Sequence, residues 1–169
     1  MNYHNITKDD MLNGDGLRVV LWVAGCTHHC KNCQNQITWD VAGGLPFDKE
    51  AEDELFEALD KPYISGITFS GGDPLHFLNR DEVFRLVKKC REMFPEKTIW
   101  IYTGYSWDDV KDCKGLELAD VLVDGEFEEA LKDNNLHWVG SSNQKIIDIK
   151  QSLKTGEIVL YHTTSYQEA

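Results

Sequence analysis

Apolar and polar positions along the chain fall into two alternating kinds of segment. Leu17 to Ala24, reading Leu-Arg-Val-Val-Leu-Trp-Val-Ala, is a nearly continuous apolar, β-branched run, the pattern of a strand covered on both faces. Gly66 to Ser70, Thr98 to Thr103 and Val121 to Val123 repeat it in shorter form. Between these runs the spacing becomes helical, with Ala51, Leu55, Ala58 and Leu59 inside Lys49 to Leu59, and Val83, Val87, Cys90 and Phe94 inside Arg80 to Phe94. Asp48 stands where the first helix needs an N-cap, Glu50 and Glu52 occupy its first turn, and Pro62 lies beyond its end. Ser106 with Asp109 three residues on resembles a capping box with Asp in place of Glu, so a short helix follows. Lys145 to Lys150 and Ile158 to Tyr161 offer one or two further strands, expected as a hairpin through Lys154-Thr155-Gly156.

Strands alternating with helices predict parallel β-α units with right-handed crossovers. A complete eight-fold barrel needs about 250 residues, and this chain has 169. The expected fold is therefore α/β, a partial, open (βα) barrel of about five to six mainly parallel strands, in a single domain over residues 1–169. Loops at the C-terminal strand ends share one face, where such folds place their chemistry. The loops beginning near Gly25, Gly71, Thr103 and Asp124 converge there.

Charge narrows the class of partner. Seventeen Lys and Arg stand against twenty-nine Asp and Glu, a formal charge of -12, so the summed field repels phosphate backbones and anionic membranes. No nucleic acid and no membrane are expected as partners. No apolar run approaches a membrane span and Met1-Asn2-Tyr3-His4 lacks a signal pattern, so the expected location is cytoplasmic. Five cysteines, three of them crowded together, suit free thiols in a reducing compartment better than a disulfide framework.

Those three are Cys26, Cys30 and Cys33, within Gly-Cys-Thr-His-His-Cys-Lys-Asn-Cys-Gln-Asn. A loop so short sets three thiolates on one side of a polynuclear centre, as for three irons of a 4Fe-4S cubane. The fourth iron then has no cysteine nearby and stays open to another ligand. Two plainer readings compete: a zinc site completed by His28 or His29, which lacks the usual second ligand pair, and three unligated buried thiols, which the polar neighbours disfavour. Cys90 lies on an apolar helical stripe and reads as a core thiol, and Cys113 as an unpaired thiol in a polar turn.

The Cys-x-x-x-Cys-x-x-Cys spacing resembles the radical S-adenosylmethionine (SAM) superfamily. More narrowly, the chain is similar to the activating proteins of anaerobic (class III) ribonucleotide reductase. The matching segments are Met1-Asn2-Tyr3, Asn13 to Arg18, the cysteine loop, Ser70-Gly71-Gly72-Asp73-Pro74-Leu75, Trp100 to Tyr105, Val121 to Gly125 and Gly140-Ser141-Ser142-Asn143-Gln144. The resemblance implies a 4Fe-4S cluster on Cys26, Cys30 and Cys33, with SAM chelating the open iron. Reductive cleavage of SAM would give methionine and a 5′-deoxyadenosyl radical, which generates a glycyl radical on the reductase. It also implies the partial (βα) barrel and a reduced flavodoxin-like electron donor. The protein's part in such chemistry is ligation, orientation and exclusion of water.

For SAM contacts the resemblance points to Asn32, Cys33 and Gln34 at the adenine and to Gly71, Gly72 and Asp73 at the methionine ammonium. Asn32 replaces a frequent aromatic residue, and Asp73 replaces the family's Glu with a shorter reach. Read alone, Gly-Gly-Asp-Pro is equally a turn. Asp124 is a candidate for a SAM hydroxyl or ammonium group, or a solvated turn residue before Gly125. His28 and His29 read as exposed loop residues, with second-shell hydrogen bonds to the cluster as the alternative. Arg18, a charge inside a strand, asks for a carboxylate partner that the sequence does not identify. Activation of another glycyl-radical enzyme, such as pyruvate formate-lyase, small-molecule chemistry within the superfamily, and a non-catalytic iron-sulfur electron carrier are the competing functions. A carrier's cluster is usually ligated entirely by protein.

Overall fold

The computed structural model describes residues 1–163. In chain order its elements are β1 (Asn2–Asp10), β2 (Arg18–Val23), β3 (Leu45–Pro46), α1 (Lys49–Leu59), β4 (Gly66–Gly71), α2 (Arg80–Met93), β5 (Thr98–Tyr102), α3 (Trp107–Val110), β6 (Val121–Asp124), β7 (Lys145–Asp148) and α4 (Ile149–Thr155). Among the described residues the seven strands form one sheet in the order β3-β1-β2-β4-β5-β6-β7. The middle four, β2, β4, β5 and β6, run parallel. The flanks are antiparallel: β1 on β2, β3 on β1, and β7 on β6.

This corrects the expected architecture in two respects. The sheet has seven strands rather than five or six, and half of its pairings are antiparallel. β1 escapes pattern reading because Ile6 is its only fully buried residue and its pairing with β2 shifts register between Tyr3 and Asn5 and again between Thr7 and Asp10. The sheet is open, with β3 and β7 at its edges. The expected terminal hairpin also takes a different form. Asp148 ends β7 by capping α4, its carboxylate accepting from the Gln151 N–H at 3.0 Å, and Gly156 closes that helix at a φ of 77°. The chain then returns to leave one antiparallel bridge, Ile147 to Leu160.

Alternation along the strands divides the core. Val19, Leu21, Val23, Ile67, Phe69, Ile99, Ile101 and Leu122 face the helices and pack under Leu55 and Leu59 of α1 and Val83, Leu86 and Val87 of α2. Full burial of each such side chain is worth about 1.5–3 kcal/mol. Asp48 caps α1 as its sequence position predicts, accepting from the Ala51 N–H at 2.9 Å, and both halves of the Ser106–Asp109 capping box are formed. The two helices are clamped outside the core by Glu52, which takes Arg85 at 2.7 Å and Lys89 at 2.6 Å.

Among the described residues no helix covers the opposite face of the sheet. Its lower half is closed by side chains: Trp100, Val121 and Val123 pack with Trp138 and Tyr161. At the base lies Arg18, fully buried and facing neutral acceptors rather than the carboxylate partner that a charge in a strand suggests. Its guanidinium donates to Thr68 Oγ1, Thr98 Oγ1 and the carbonyls of Asp15, Ile67 and Thr98 at 2.7–2.9 Å, and lies 5.5 Å from the Trp100 ring centre. Burial lowers its pKa to about 10. Arg18 thus ties β2, β4 and β5 at the end of the sheet away from the cysteines.

Two measurements test these supports. Arg18→Ala leaves a large void and several unpaired acceptors, and is expected to cost about 3 kcal/mol or more in urea unfolding. Hydrogen bonding by Arg85 and then Lys89 holds the Glu52 carboxyl at about 2 against an ordinary 4.5. The stabilisation is complete above the unfolded value and is lost as pH falls through the folded one. Glu52→Gln should therefore cost about 1–2 kcal/mol at neutral pH, discounted for the solvent exposure of Arg85. That cost should shrink between pH 4.5 and about 2.

Candidate metal centre and the cleft beside it

The cysteine loop leaves β2 at Gly25 and is closed at its base by backbone bonds, Gly25 N–H to the Thr38 carbonyl at 2.7 Å and Cys26 N–H to the Trp39 carbonyl at 3.1 Å. Left-handed backbone at His29 (φ 50°) and Asn32 (φ 56°) turns the chain sharply within it. Cys33 N–H meets the Cys30 carbonyl at 3.1 Å, which draws the second and third cysteines together. All three thiols are partly exposed and none forms a disulfide.

Cys33 Sγ accepts from the Asn35 N–H at 3.4 Å. Such bonds favour thiolate and are among the factors that tune cluster potentials. Without a metal, burial pushes Cys26 up to about 11 and also raises Cys30; a coordinating cation deprotonates a thiol outright. Among the described residues no three His, Cys, Asp or Glu side chains gather closely enough for a single ion. Three cysteines on one short loop match the all-thiolate donor set of an iron–sulfur cluster, whose irons each take one thiolate. Cys90 is buried in α2, and Cys113 packs at the core's edge facing Arg80 at 3.7 Å.

The Gly-Gly-Asp-Pro loop runs directly beneath the cysteine loop. A Cβ at Gly72 would stand 2.5 Å from the Gly25 carbonyl oxygen and 2.8 Å from that of Thr38, so only glycine fits. Asp73 is buried, and both carboxylate oxygens are engaged by the protein. They accept from Leu75 N–H at 2.9 Å, Thr103 Oγ1 at 2.8 Å, Gly104 N–H at 3.0 Å and His28 Nε2 at 2.6 Å. Asp124 is occupied in the same way, by the N–H groups of Trp107 at 2.9 Å and Lys145 at 3.1 Å. The two carboxylates expected at a ligand thus hold the site's loops together.

His28 departs from the exposed loop residue that its neighbours suggest. Its side chain is only 10% exposed, bridging Asp73 and, through Nδ1 at 2.8 Å, Glu126. The Asp73 hydrogen bond raises its pKa. Gly104 makes room for the ring, since a Cβ there would lie 2.5 Å from it, and Tyr105 packs edge-on at 4.7 Å. His29 is exposed and stacks on Trp39. Asn79, which sequence reading passed over, is fully buried and donates to the carbonyls of Ala24 at 2.8 Å and Asp73 at 3.2 Å.

The loop after β6 completes the enclosure. Glu129 takes Asn32 Nδ2 and lies 3.6 Å from Lys31 Nζ. Gly140 to Gln144 braces that loop: Gln144 accepts from Gly140 N–H at 2.9 Å and donates to the Gly125 carbonyl at 3.0 Å, and Asn143 donates to the Glu126 carbonyl at 2.7 Å. Between this loop and the uncovered sheet face opens a cleft of about 480 Å³, with Cys33, Gln34 and Asn35 on one wall, Trp22, Ser70 and Tyr102 on the floor, and Phe127 and Trp138 opposite. Its size is that of a small-molecule site.

A family model described as a 4Fe-4S single cluster domain matches residues 12–147. The chain is 44% identical over 146 residues to the anaerobic ribonucleoside-triphosphate reductase-activating protein of Enterobacteria phage T4, covering 86% of this chain and 93% of that one. It is equally 44% identical over 150 residues to the protein of that name from Escherichia coli K12, covering 86% and 97%, and 41% identical over 150 residues to that of Vibrio cholerae, with the same coverage. The chain belongs to this family of reductase-activating proteins.

The role found for Asp73 in this reductase-activating family member can be measured. Asp73→Ala strands Gly104 N–H and His28 in a buried setting, and is expected to cost about 2–4 kcal/mol in urea unfolding without added ligand. A carboxylate kept free for a ligand would leave stability within about 0.5 kcal/mol.

Proposed function

We propose that the chain is a radical SAM activase that generates a glycyl radical on the anaerobic ribonucleotide reductase. The observation that carries this reading is the loop of Cys26, Cys30 and Cys33: three partly exposed thiols on one short loop beside a cleft that Cys33 lines, with Cys90 and Cys113 engaged elsewhere in the fold. Three protein thiolates leave one iron of a cubane open, which suits SAM and does not suit a simple electron carrier. The names of the relatives support the choice of reductase as partner. A 4Fe-4S cluster held by Cys26, Cys30 and Cys33 would supply one-electron reductive cleavage of SAM to methionine and a 5′-deoxyadenosyl radical, the species that would take a hydrogen atom from a glycine Cα.

The chain's own residues hold, orient and seal. Cys26, Cys30 and Cys33 ligate. Asn32, Cys33 and Gln34 offer backbone groups to the adenine, and the backbone of Gly71 and Gly72 receives the methionine ammonium. In this reading Asp73 and Asp124 act through the loops they tie, because their oxygens are already engaged. His28 fastens the cysteine loop to the Gly-Gly-Asp loop, so the cluster ligands and the ammonium site keep a constant separation. The uncovered sheet face admits a flexible peptide segment of the reductase. A reduced flavodoxin-like protein is the proposed electron donor, in the cytoplasm.

Anaerobic electron paramagnetic resonance tests the reading in steps. Reduced, reconstituted protein should show a cluster signal that changes when SAM is added, and a glycyl-radical signal should then appear on the added reductase. A cluster that ignores SAM would leave an electron carrier instead. A SAM response with no radical on the reductase would keep the superfamily and remove the partner.

A further inference from the structure

The loop between β1 and β2 lies across the uncovered face of the sheet and holds an apolar side chain out at the cleft. Asp10 ties its start, accepting from Leu12 N–H at 2.8 Å and from Asn13 Nδ2 at 3.1 Å, and the Asn13 carbonyl accepts from Thr68 Oγ1 at 2.7 Å. Gly14 follows at a φ of 119°, so close to the base that a Cβ there would stand 3.0 Å from both Arg18 Cδ and Trp100 Cδ2. The main chain is fixed, yet Met11 is 68% and Leu12 80% exposed. A single exposed leucine on a surface needs no explanation. Leu12 differs in its place: among the described residues that line the cleft, it alone is a large apolar side chain left exposed.

Trp138 supplies a second apolar wall at the same end. Its backbone is left-handed, φ 64°, a conformation that a bulky residue keeps only where its surroundings over-determine it. Its indole N–H donates at 3.1 Å to buried Asp15, three residues beyond Leu12, and its ring packs edge-on against Trp100 at 6.2 Å. The same carboxylate takes the Tyr161 hydroxyl at 3.1 Å and Thr163 Oγ1. Leu12 and Trp138 thus stand over the base built on Arg18 and Trp100, whereas the proposed SAM contacts lie at the cysteine end. Among the described lining residues Asp133 is the sole carboxylate and there is no Lys or Arg, in a chain with 17 Lys and Arg and 29 Asp and Glu. An uncharged lining whose apolar end is already ordered is complementary to an uncharged, apolar group, and little ordering is left to oppose binding. Resting on the activase reading above, we propose that Leu12 and Trp138 form a subsite for an apolar side chain of the reductase segment that carries the target glycine. Filling this subsite fixes the register in which the segment crosses the cleft, and so which residue arrives at the cysteine end.

The test uses reconstituted holoprotein with excess SAM and a chemical reductant, adds increasing anaerobic ribonucleotide reductase, and counts the glycyl radical formed. Leu12→Ser removes the apolar contact at an exposed position, so the melting temperature should hold while the KM for the reductase rises about tenfold. Leu12→Met keeps an apolar side chain and should bring the KM back to within about threefold of wild type. Leu153→Ser removes an exposed leucine from α4, outside the cleft, and should leave the KM unchanged. A KM for Leu12→Ser within about twofold of wild type overturns the proposal alone. An equal rise in Leu153→Ser also overturns it, because the effect would then belong to surface apolarity rather than to the cleft. If wild type itself forms no glycyl radical at any reductase concentration, the activase reading fails and this proposal fails with it.

Discussion

The carboxylate of Asp73 is the contact on which the site depends. It is buried at the end of β4, and its oxygens gather the turn that follows it, the end of β5 through Thr103 and Gly104, and the cysteine loop through His28. In a low-dielectric setting such a network is worth more than its separate bonds when every member is satisfied, and is costly when one is missing. Strand-end loops are otherwise free to move independently, because the ladder bonds that order the sheet stop at Gly71 and Tyr102. One carboxylate thereby converts three loops into a single support.

The sheet beneath is asymmetric in a way that serves the same site. Helices cover one face completely, and their packing requires only apolar residues of suitable size. The other face is closed at its base by Arg18, Trp100, Trp138 and Tyr161 and left open towards the cysteines. Arg18 has no helix to pack against and instead satisfies acceptors on β2, β4 and β5 together. The rigid end of the sheet and the open end are therefore built from different chemistry, one a buried cation among neutral oxygens, the other a row of Trp22, Ser70 and Tyr102 beneath a cleft.

Much of this was legible in the residues. The four parallel strands, helices α1 and α2, the Asp48 cap and the Ser106–Asp109 box all follow from patterns that span a few neighbouring positions, and local periodicity is decided by local sterics and by which face meets the core. The three cysteines were equally plain, because their spacing is covalent. β1 was not, since a strand that buries little and shifts register twice carries almost no alternation. The terminal hairpin was misjudged because Asp148 acts as a helix cap only once the chain has turned away from β6.

What the sequence determined by itself is the order of elements and the set of thiols, both properties of short stretches of chain. Tertiary structure alone decided which polar side chains meet. His28 lies 45 residues from Asp73 and 98 from Glu126, and nothing in its neighbours distinguishes it from His29, which faces solvent. The same holds for the burial of Asp73 and Asp124 and for the neutral acceptors around Arg18. A hydrogen-bond partner is specified by where strands end in space, and that is settled only when the sheet assembles.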